Sequence, residues 1–492
     1  MSPSSSQGPL SVVNRSVSPL AMLAIAIALS LGIFANQPGS PLALLPLVAY
    51  AALQILPRLG ERADQRIFLG FIVLCFFVDD ISQVSWGRDV DTFTEQLGII
   101  LFQSFGLTGM EYFAIAFSLF LWIARPPRQR AMWMQMGLKS VLGVGIAIFI
   151  ASIIAGLYGL SSGATVQTLF IQIRFLHIMV FWTFVGFVIF RDREFAAQFL
   201  FVLTILVIMK SMQALFVYAT NREIFKEAEY LIDHYFSAFS IMALVALARY
   251  AYRCRSLPLL LGQLLAALIV MAAYILNDRR TSYVGAGLAA SLVPFLMPRG
   301  WLRQRLPVFA ALGLLGALYV GGTWNLPAPI GFVGATIRSF GQETGSEGPS
   351  YRDLENANLM KAFADNPLTG LGYGREFTEV FKMPDISFVY DRYRMLPHNL
   401  FLASWAFGGP LTIAATSLVF ISMIWLSGRL MREGQDATLW FFGLVSLFYA
   451  LQYFSYTFGD IGLQINRNQM MGGLLLGGCY RLLASTVPEN KL

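Results

Sequence analysis

The segment Pro397 to Thr412, PHNLFLASWAFGGPLT, sets a histidine and an asparagine at the mouth of an apolar helix. Nine residues separate Asn399 from Gly409, and two more separate Gly409 from Thr412. The chain has only three histidines, His177, His234 and His398, so one at a helix mouth stands out. Pro397 suits the first position of a helix, which would place His398 within the first turn. The positive end of a helix favours a neutral imidazole, and neutral imidazole is a competent base near pH 7. Taking a proton from a hydroxyl nucleophile is a natural use for it. The alternative is a histidine that caps the helix or faces lipid headgroups. No Ser/His/Asp hydrolase pattern, Walker loop or zinc spacing accompanies it.

Several cations could work beside it. Arg279 and Arg280 lie in the short turn Asn277-Asp278-Arg279-Arg280-Thr281-Ser282. Guanidinium groups grip phosphate bidentately; the plainer reading pairs one arginine with Asp278 and lets both reach headgroups. Arg352 follows Ser350-Tyr351 at the start of a loop helix, where free amides and the dipole favour an anion; otherwise it is a solvated loop arginine. Arg174, with His177 on the same face, and Lys210 fall inside apolar stretches, where charges are costly and usually face a polar interior. They would extend a cationic cavity or be paired structurally within the bundle. Asp79 and Asp80 could bind a divalent metal or form a polar helix end.

These groups must be positioned by membrane helices. Of 492 residues, 56% are apolar and 13% charged, and the mean hydropathy is +0.62. Soluble domains carry about 25% charge. Apolar stretches of roughly 17–25 residues, each long enough to cross a bilayer, recur along the chain. The expectation is an all-α polytopic membrane protein with about 14 spans (roughly 12–14). They fall near 17–36, 40–57, 66–83, 105–124, 136–158, 166–190, 195–219, 230–249, 257–276, 282–297, 306–322, 399–427, 438–456 and 469–485. Segment 93–104 reads as an interfacial helix or the start of the fourth span.

Charge sets the expected orientation. With both termini cytoplasmic, the inner connections and tails hold 20 of the 35 basic residues. The short outer connections hold six: Arg88, Arg222, Lys226, Arg279, Arg280 and Arg467. The positive-inside rule demands this bias, and Arg279-Arg280 is an exception to it. The net charge of +7 follows largely from the same asymmetry and does not indicate nucleic-acid binding. The layout is one membrane domain: a tail (1–16), helices (17–322), an outer loop (323–397), helices (398–485) and a tail (486–492). The first span reads as a signal anchor. Cys75, Cys254 and Cys479 suggest no disulfide framework.

The outer loop reads as structured. Ser350 and Asp353 make a near capping box, Leu354, Ala357, Met360 and Phe363 follow at helical spacing, and Asn366-Pro367 stops the helix. Gly370-Leu371-Gly372-Tyr373-Gly374 is a turn whose glycines would let backbone approach a ligand.

Together these residues resemble the O-antigen ligase and O-antigen (Wzy-type) polymerase superfamily. Its signature is His, then Asn, Ser or Gln, nine residues, Gly, two residues, then Gly, Thr or Tyr. His398, Asn399, Gly409 and Thr412 match it. The family also has a large periplasmic loop before its last spans and an arginine in a short periplasmic turn two spans earlier, here Arg280 or Arg279. A second arginine opens a loop helix leading to Pro-x-x-Gly-x-Gly, matched by Arg352 and Pro367 to Gly372. The resemblance covers about residues 270–427; the earlier part matches only in character, and fourteen spans exceed the ligases' twelve.

The resemblance implies a GT-C-like fold in the bacterial inner membrane, with both termini cytoplasmic and the active site periplasmic. It implies metal-independent, inverting transfer of a glycan from undecaprenyl pyrophosphate, without a cofactor. Arg280 and Arg352 would hold the diphosphate, with Arg279 assisting. His398 would orient or deprotonate the acceptor sugar hydroxyl. Arg174, Lys210 and Asn399 are further candidates at the diphosphate or substrate. Tyr351, Tyr373, Phe377 and Tyr390 would stack on sugars or pack the loop. The leading expectation is a repeat-unit polymerase, with a chain-length regulator and membrane lipids as partners. A ligase acting on lipid A core, a lipid-linked sugar flippase and a structural partner of an assembly complex are the alternatives.

Overall fold

A computed structural model describes residues 62–77, 103–104, 107–220, 234–277, 279–326, 334, 338, 350–387, 392–433, 436–459 and 466–485. The chain is a helical membrane bundle. Its helices are α1 (Ala63–Phe77), α2 (Gly109–Ile123), α3 (Pro127–Ser161), α4 (Val166–Ile189), α5 (Arg193–Thr220), α6 (His234–Arg253) and α7 (Leu257–Leu276). They continue with α8 (Arg280–Leu296), α9 (Arg299–Thr323), the loop helix α10 (Tyr351–Asp365), α11 (Leu400–Glu433), α12 (Ala437–Gly459) and α13 (Asn466–Ala484).

Six of the described helices are long and apolar enough to cross a membrane: α3, α4, α5, α7, α11 and α12. This does not support the expected count of fourteen. Helices α6, α8 and α13 carry Arg249, Arg280, Asn466, Arg467 and Arg481, and much of their polarity is turned into the protein. Arg249, Arg467 and Arg481 are all buried. Windows of sequence hydropathy cannot see such burial. Helices α1 and α2 have 15 residues each, short of the roughly 20 that a full crossing takes. The expected spans at 17–36 and 40–57 lie outside the described residues, as do most of 93–104 and the tails.

The expected fourth span starts later than its hydropathy suggests. Two short strands, Gln103–Ser104 and Leu107–Thr108, pair antiparallel. Thr108 then caps α2: its Oγ1 accepts from Glu111 N–H, while the Glu111 carboxylate accepts from Thr108 N–H at 2.6 Å.

Close helix packing rests on small residues. A Cβ at Gly477 or Gly473 of α13 would collide with Thr183 or Trp182 of α4, and one at Gly186 of α4 with the Leu474 backbone. Without a hydrophobic drive between helices in lipid, such close approach is what holds them together. At one end of α4, Asp64 accepts from Arg125 at 2.5 Å and Arg191 at 2.6 Å, and the Ile189 carbonyl accepts from Gln65 at 3.0 Å. One buried carboxylate thus ties α1 to the ends of α2 and α4. The opposite end of α4, about 35 Å away by helical rise, carries the loop.

The loop is seated by a helix break. Within α11, Gly409 has φ +69°, and Pro410 follows. Proline has no N–H for the carbonyl four residues back, Ala406. Leu371 donates to that carbonyl at 2.7 Å, and Gly372 donates to the Phe407 carbonyl at 2.8 Å. Tyr373 N–H completes the seat on Ala155 of α3 at 3.1 Å. The glycine turn therefore meets helices, not a ligand. Gly372, at φ +86°, abuts Gly159, and Gly374, at φ +91°, abuts Leu169.

Two outcomes follow. Gly372→Ala combines a positive φ with a collision on Gly159; strain alone costs about 1–3 kcal/mol. Limited proteolysis in detergent should cut the loop of this variant faster than that of the wild type, and equal rates would contradict the seating. Asp64→Asn leaves two arginines without their carboxylate and should cost about 3–5 kcal/mol, read as a lowered thermal midpoint in detergent.

Candidate active site

Helix α10 begins as its sequence dictates. Ser350 Oγ accepts from Asp353 N–H, and the Asp353 carboxylate accepts from Ser350 N–H at 3.0 Å. The helix ends at Asp365, with Asn366 as its cap. It presents one face to the bundle: Glu355, Asn358, Leu359 and Ala362 are buried. Asn358 fastens the following segment, donating to the Phe381 carbonyl and accepting from Val380 and Phe381 N–H, each at 2.8 Å.

Glu355 meets His398. Its carboxylate accepts the His398 backbone N–H at 2.9 Å, and both oxygens lie 3.2 Å from His398 Nδ1. Glu355 is fully buried and the His398 side chain is 17% exposed. The Tyr351 ring meets the imidazole edge-on at 5.9 Å between centroids. Among the described residues, the buried Tyr351 hydroxyl has no hydrogen-bond partner. Burial and the neighbouring Glu355 push that phenol well above its ordinary range, so it stays a donor.

The position of His398 corrects the sequence reading. Helix α11 begins at Leu400, and Asn399 is its cap. Asn399 Oδ1 accepts from Leu402 N–H at 3.1 Å, and its carbonyl accepts from Ala403 at 2.9 Å. His398 therefore precedes the helix, and its N–H goes to Glu355 instead of leading the first turn. Asn399, expected at the substrate, is 8% exposed and spends its side chain on the cap. Thr412 likewise turns inward, donating to the Gly408 carbonyl at 2.9 Å.

Arg352 and Glu355 are three residues apart on α10, which makes them neighbours on the helix surface. Arg352 is exposed. Its Nη1 lies 3.8 Å from the space that a Cβ at Gly459 would fill, and the Thr281 methyl lies 3.3 Å from the same point. Arg352 thus reaches the end of α12 and the first turn of α8, which Arg280 opens. Arg280 is exposed, whereas Arg279 is partly buried and interacts electrostatically with Tyr456. Three helix starts (α8, α10 and α11) and the end of α12 meet here. His398 and Glu355 touch each other, and Arg352, one turn before Glu355 on α10, reaches the turn that Arg280 opens.

The other candidates are placed differently. Arg174 lies 3.6 Å from the fully buried Glu111 of α2, the structural pairing foreseen as an alternative. Lys210 is 6% exposed within α5. His177 bonds through Nδ1 to the Ile173 carbonyl at 2.9 Å, within its own helix. Tyr373 is 4% exposed, packed with Leu359, Ala406 and Phe407, so it packs the loop instead of facing a sugar. Phe377 is buried as well. Asp79, Asp80, Asp278 and Tyr390 lie outside the described residues. Among the described residues no cluster of three or more His, Cys, Asp or Glu could hold a metal ion.

The outer half of the loop is held by Glu379, which accepts from Arg394 Nε at 2.7 Å and Tyr393 Oη at 3.1 Å. Burial acts to raise its pKa, but these bonds and the Met383 amide hold it below the ordinary carboxylate range.

Glu355 was not singled out in the sequence. A glutamate near the start of a helix is what the dipole alone would favour. Its spacing from Arg352 was the available signal.

Tyr373→Ala tests the packing role. It should cost about 3–5 kcal/mol, the usual loss for an aromatic ring removed from a core, in denaturant or thermal unfolding. An unchanged stability would contradict the packing role.

No protein-family model matches the chain and a comparison with curated proteins finds no relative, so the functional reading rests on these residues and their geometry.

Proposed function

We propose that this protein is a membrane glycosyltransferase that polymerises lipid-linked repeat units of a bacterial surface polysaccharide. The donor is a glycan on undecaprenyl pyrophosphate and the acceptor is a hydroxyl of the next lipid-linked repeat. The reading places the protein in the inner membrane, both termini in the cytoplasm and the active end in the periplasm. It also takes the bundle to be GT-C-like.

One observation carries the proposal. His398 contacts α10, and Arg352 of that same helix reaches the first turn of α8 beside Arg280. An imidazole and the Arg352 guanidinium, distant in sequence, thus stand on elements that meet near the turn opened by Arg280. That combination suits attack by a hydroxyl on a carbon whose leaving group is an anionic diphosphate. Developing charge on the diphosphate would be met by preorganised guanidinium groups, a main catalytic term in such sites. The acceptor proton would pass to His398. Attack from the face opposite the diphosphate inverts the anomeric centre. An acidic diphosphate leaves without a general acid, and no metal is invoked.

The test is elongation by purified protein supplied with undecaprenyl-diphosphate-linked repeats in detergent, followed by product mass. His398→Ala should lower the rate about 10²–10⁴-fold, the usual span for a general base. Arg352→Ala and Arg280→Ala should each lower it about 10²–10³-fold. Failure of folded wild-type protein to elongate authentic repeats would overturn the reading. Transfer only onto lipid A core would mark a ligase, and movement of the intact donor across vesicles would mark a flippase.

A further inference from the structure

One group bound to His398 is not used by the reaction just described. Glu355 has no exposed surface. Its carboxylate accepts the His398 N–H at 2.9 Å and lies 3.2 Å from Nδ1 through both oxygens. Burying a carboxylate is costly unless hydrogen bonds satisfy it, and His398 supplies two of its contacts. The residues around it on α10 would hold a helix together equally well with an apolar side chain at this position. Leu354, Leu359 and Ala362 already pack against the bundle.

We propose that Glu355 is the positioning residue for His398: it holds the proton on Nδ1 and so makes Nε2 the atom that takes the acceptor proton. The inference rests on the glycosyl-transfer reading and deepens it. An ionised carboxylate only accepts hydrogen bonds, so the nitrogen facing it must carry hydrogen. A neutral imidazole has one N–H, and fixing it on Nδ1 leaves the lone pair on Nε2. The bond to the backbone N–H locks the ring's root, and the bond to Nδ1 locks its rotation. Tyr351 closes one edge of the ring at 5.9 Å between centroids.

The step balances. The acceptor oxygen forms a bond to the anomeric carbon, and the bond from that carbon to the diphosphate oxygen breaks with its electron pair leaving on the diphosphate. The hydroxyl proton moves to Nε2. The imidazolium so formed is flanked by the Glu355 carboxylate, which stabilises it as charge develops. Because Glu355 sits on α10 and His398 on the approach to α11, the base is assembled only when the loop helix is docked.

The chain's three histidines make the test direct. Protein labelled with ¹⁵N-histidine gives at most three ring systems by NMR, and His398→Ala identifies the third. In the wild type, His398 should be protonated on Nδ1 with a bare Nε2. In Glu355→Gln the resonances should move toward the other tautomer or an average. In the elongation assay Glu355→Gln should lower kcat at least about 10²-fold with KM within a few-fold, and Glu355→Asp, which keeps the carboxylate, should recover part of the loss. A wild-type kcat in Glu355→Gln, or a wild-type His398 ring protonated on Nε2 alone, would overturn the inference. Should Glu355→Gln fail to fold, the wild-type tautomer decides. Wild-type protein that does not elongate repeats would instead overturn the glycosyl-transfer reading, and the tautomer would still report on the contact.

Discussion

The break at Gly409-Pro410 is the constraint on which the site depends. In a lipid-surrounded helix every backbone carbonyl must find a donor. Pro410 removes the one that Ala406 would have used. The loop supplies the replacement through Leu371, and Gly372 bonds the adjacent Phe407 carbonyl. A long connection that would otherwise sample many conformations is thereby fixed to the bundle by obligatory hydrogen bonds. The glycines at 370, 372 and 374 are needed because the loop backbone runs against helix backbone, with no room for a side chain.

The rest of the site follows from that seat. With the turn fixed on α3, α4 and α11, the preceding helix α10 packs its buried face against the bundle. That orientation turns Glu355 to His398 and brings Arg352 beside Gly459 and Thr281. The residues at 398, 399, 409 and 412 have separate structural roles. His398 meets Glu355, Asn399 starts α11, Gly409 breaks it, and Thr412 bonds back across the break to the Gly408 carbonyl.

The far end of the bundle has a different task. Asp64 gathers Arg125 and Arg191, and Arg62 pairs with Glu194. The exposed Arg62 pair is worth little in water. The Asp64 cluster is buried and joins three elements, so it fixes how α1, α2 and α4 meet. Charges at this end are arranged for cohesion; at the loop end Glu355 meets His398, and Arg352 reaches Gly459 and Thr281.

The sequence alone determined the class of molecule, because long apolar runs admit only a membrane bundle. It determined α10 from Ser350 to Asp365, because the capping box and the Asn366-Pro367 stop are local chemistry. It also pointed to His398 and Arg352 by type and spacing. Tertiary structure decided what those residues touch. Glu355 looked like any acidic residue in an early helical turn until packing set it against His398. Arg174 found Glu111, and Tyr373 went under the loop. Among the described residues six helices are long and apolar enough to cross a membrane, and Arg249, Arg467 and Arg481 of α6 and α13 turn inward, which hydropathy along the chain does not reveal. Local hydrogen bonds and hydropathy are written along the chain; contacts between residues forty or more apart depend on how helices pack, and only the folded bundle specifies that.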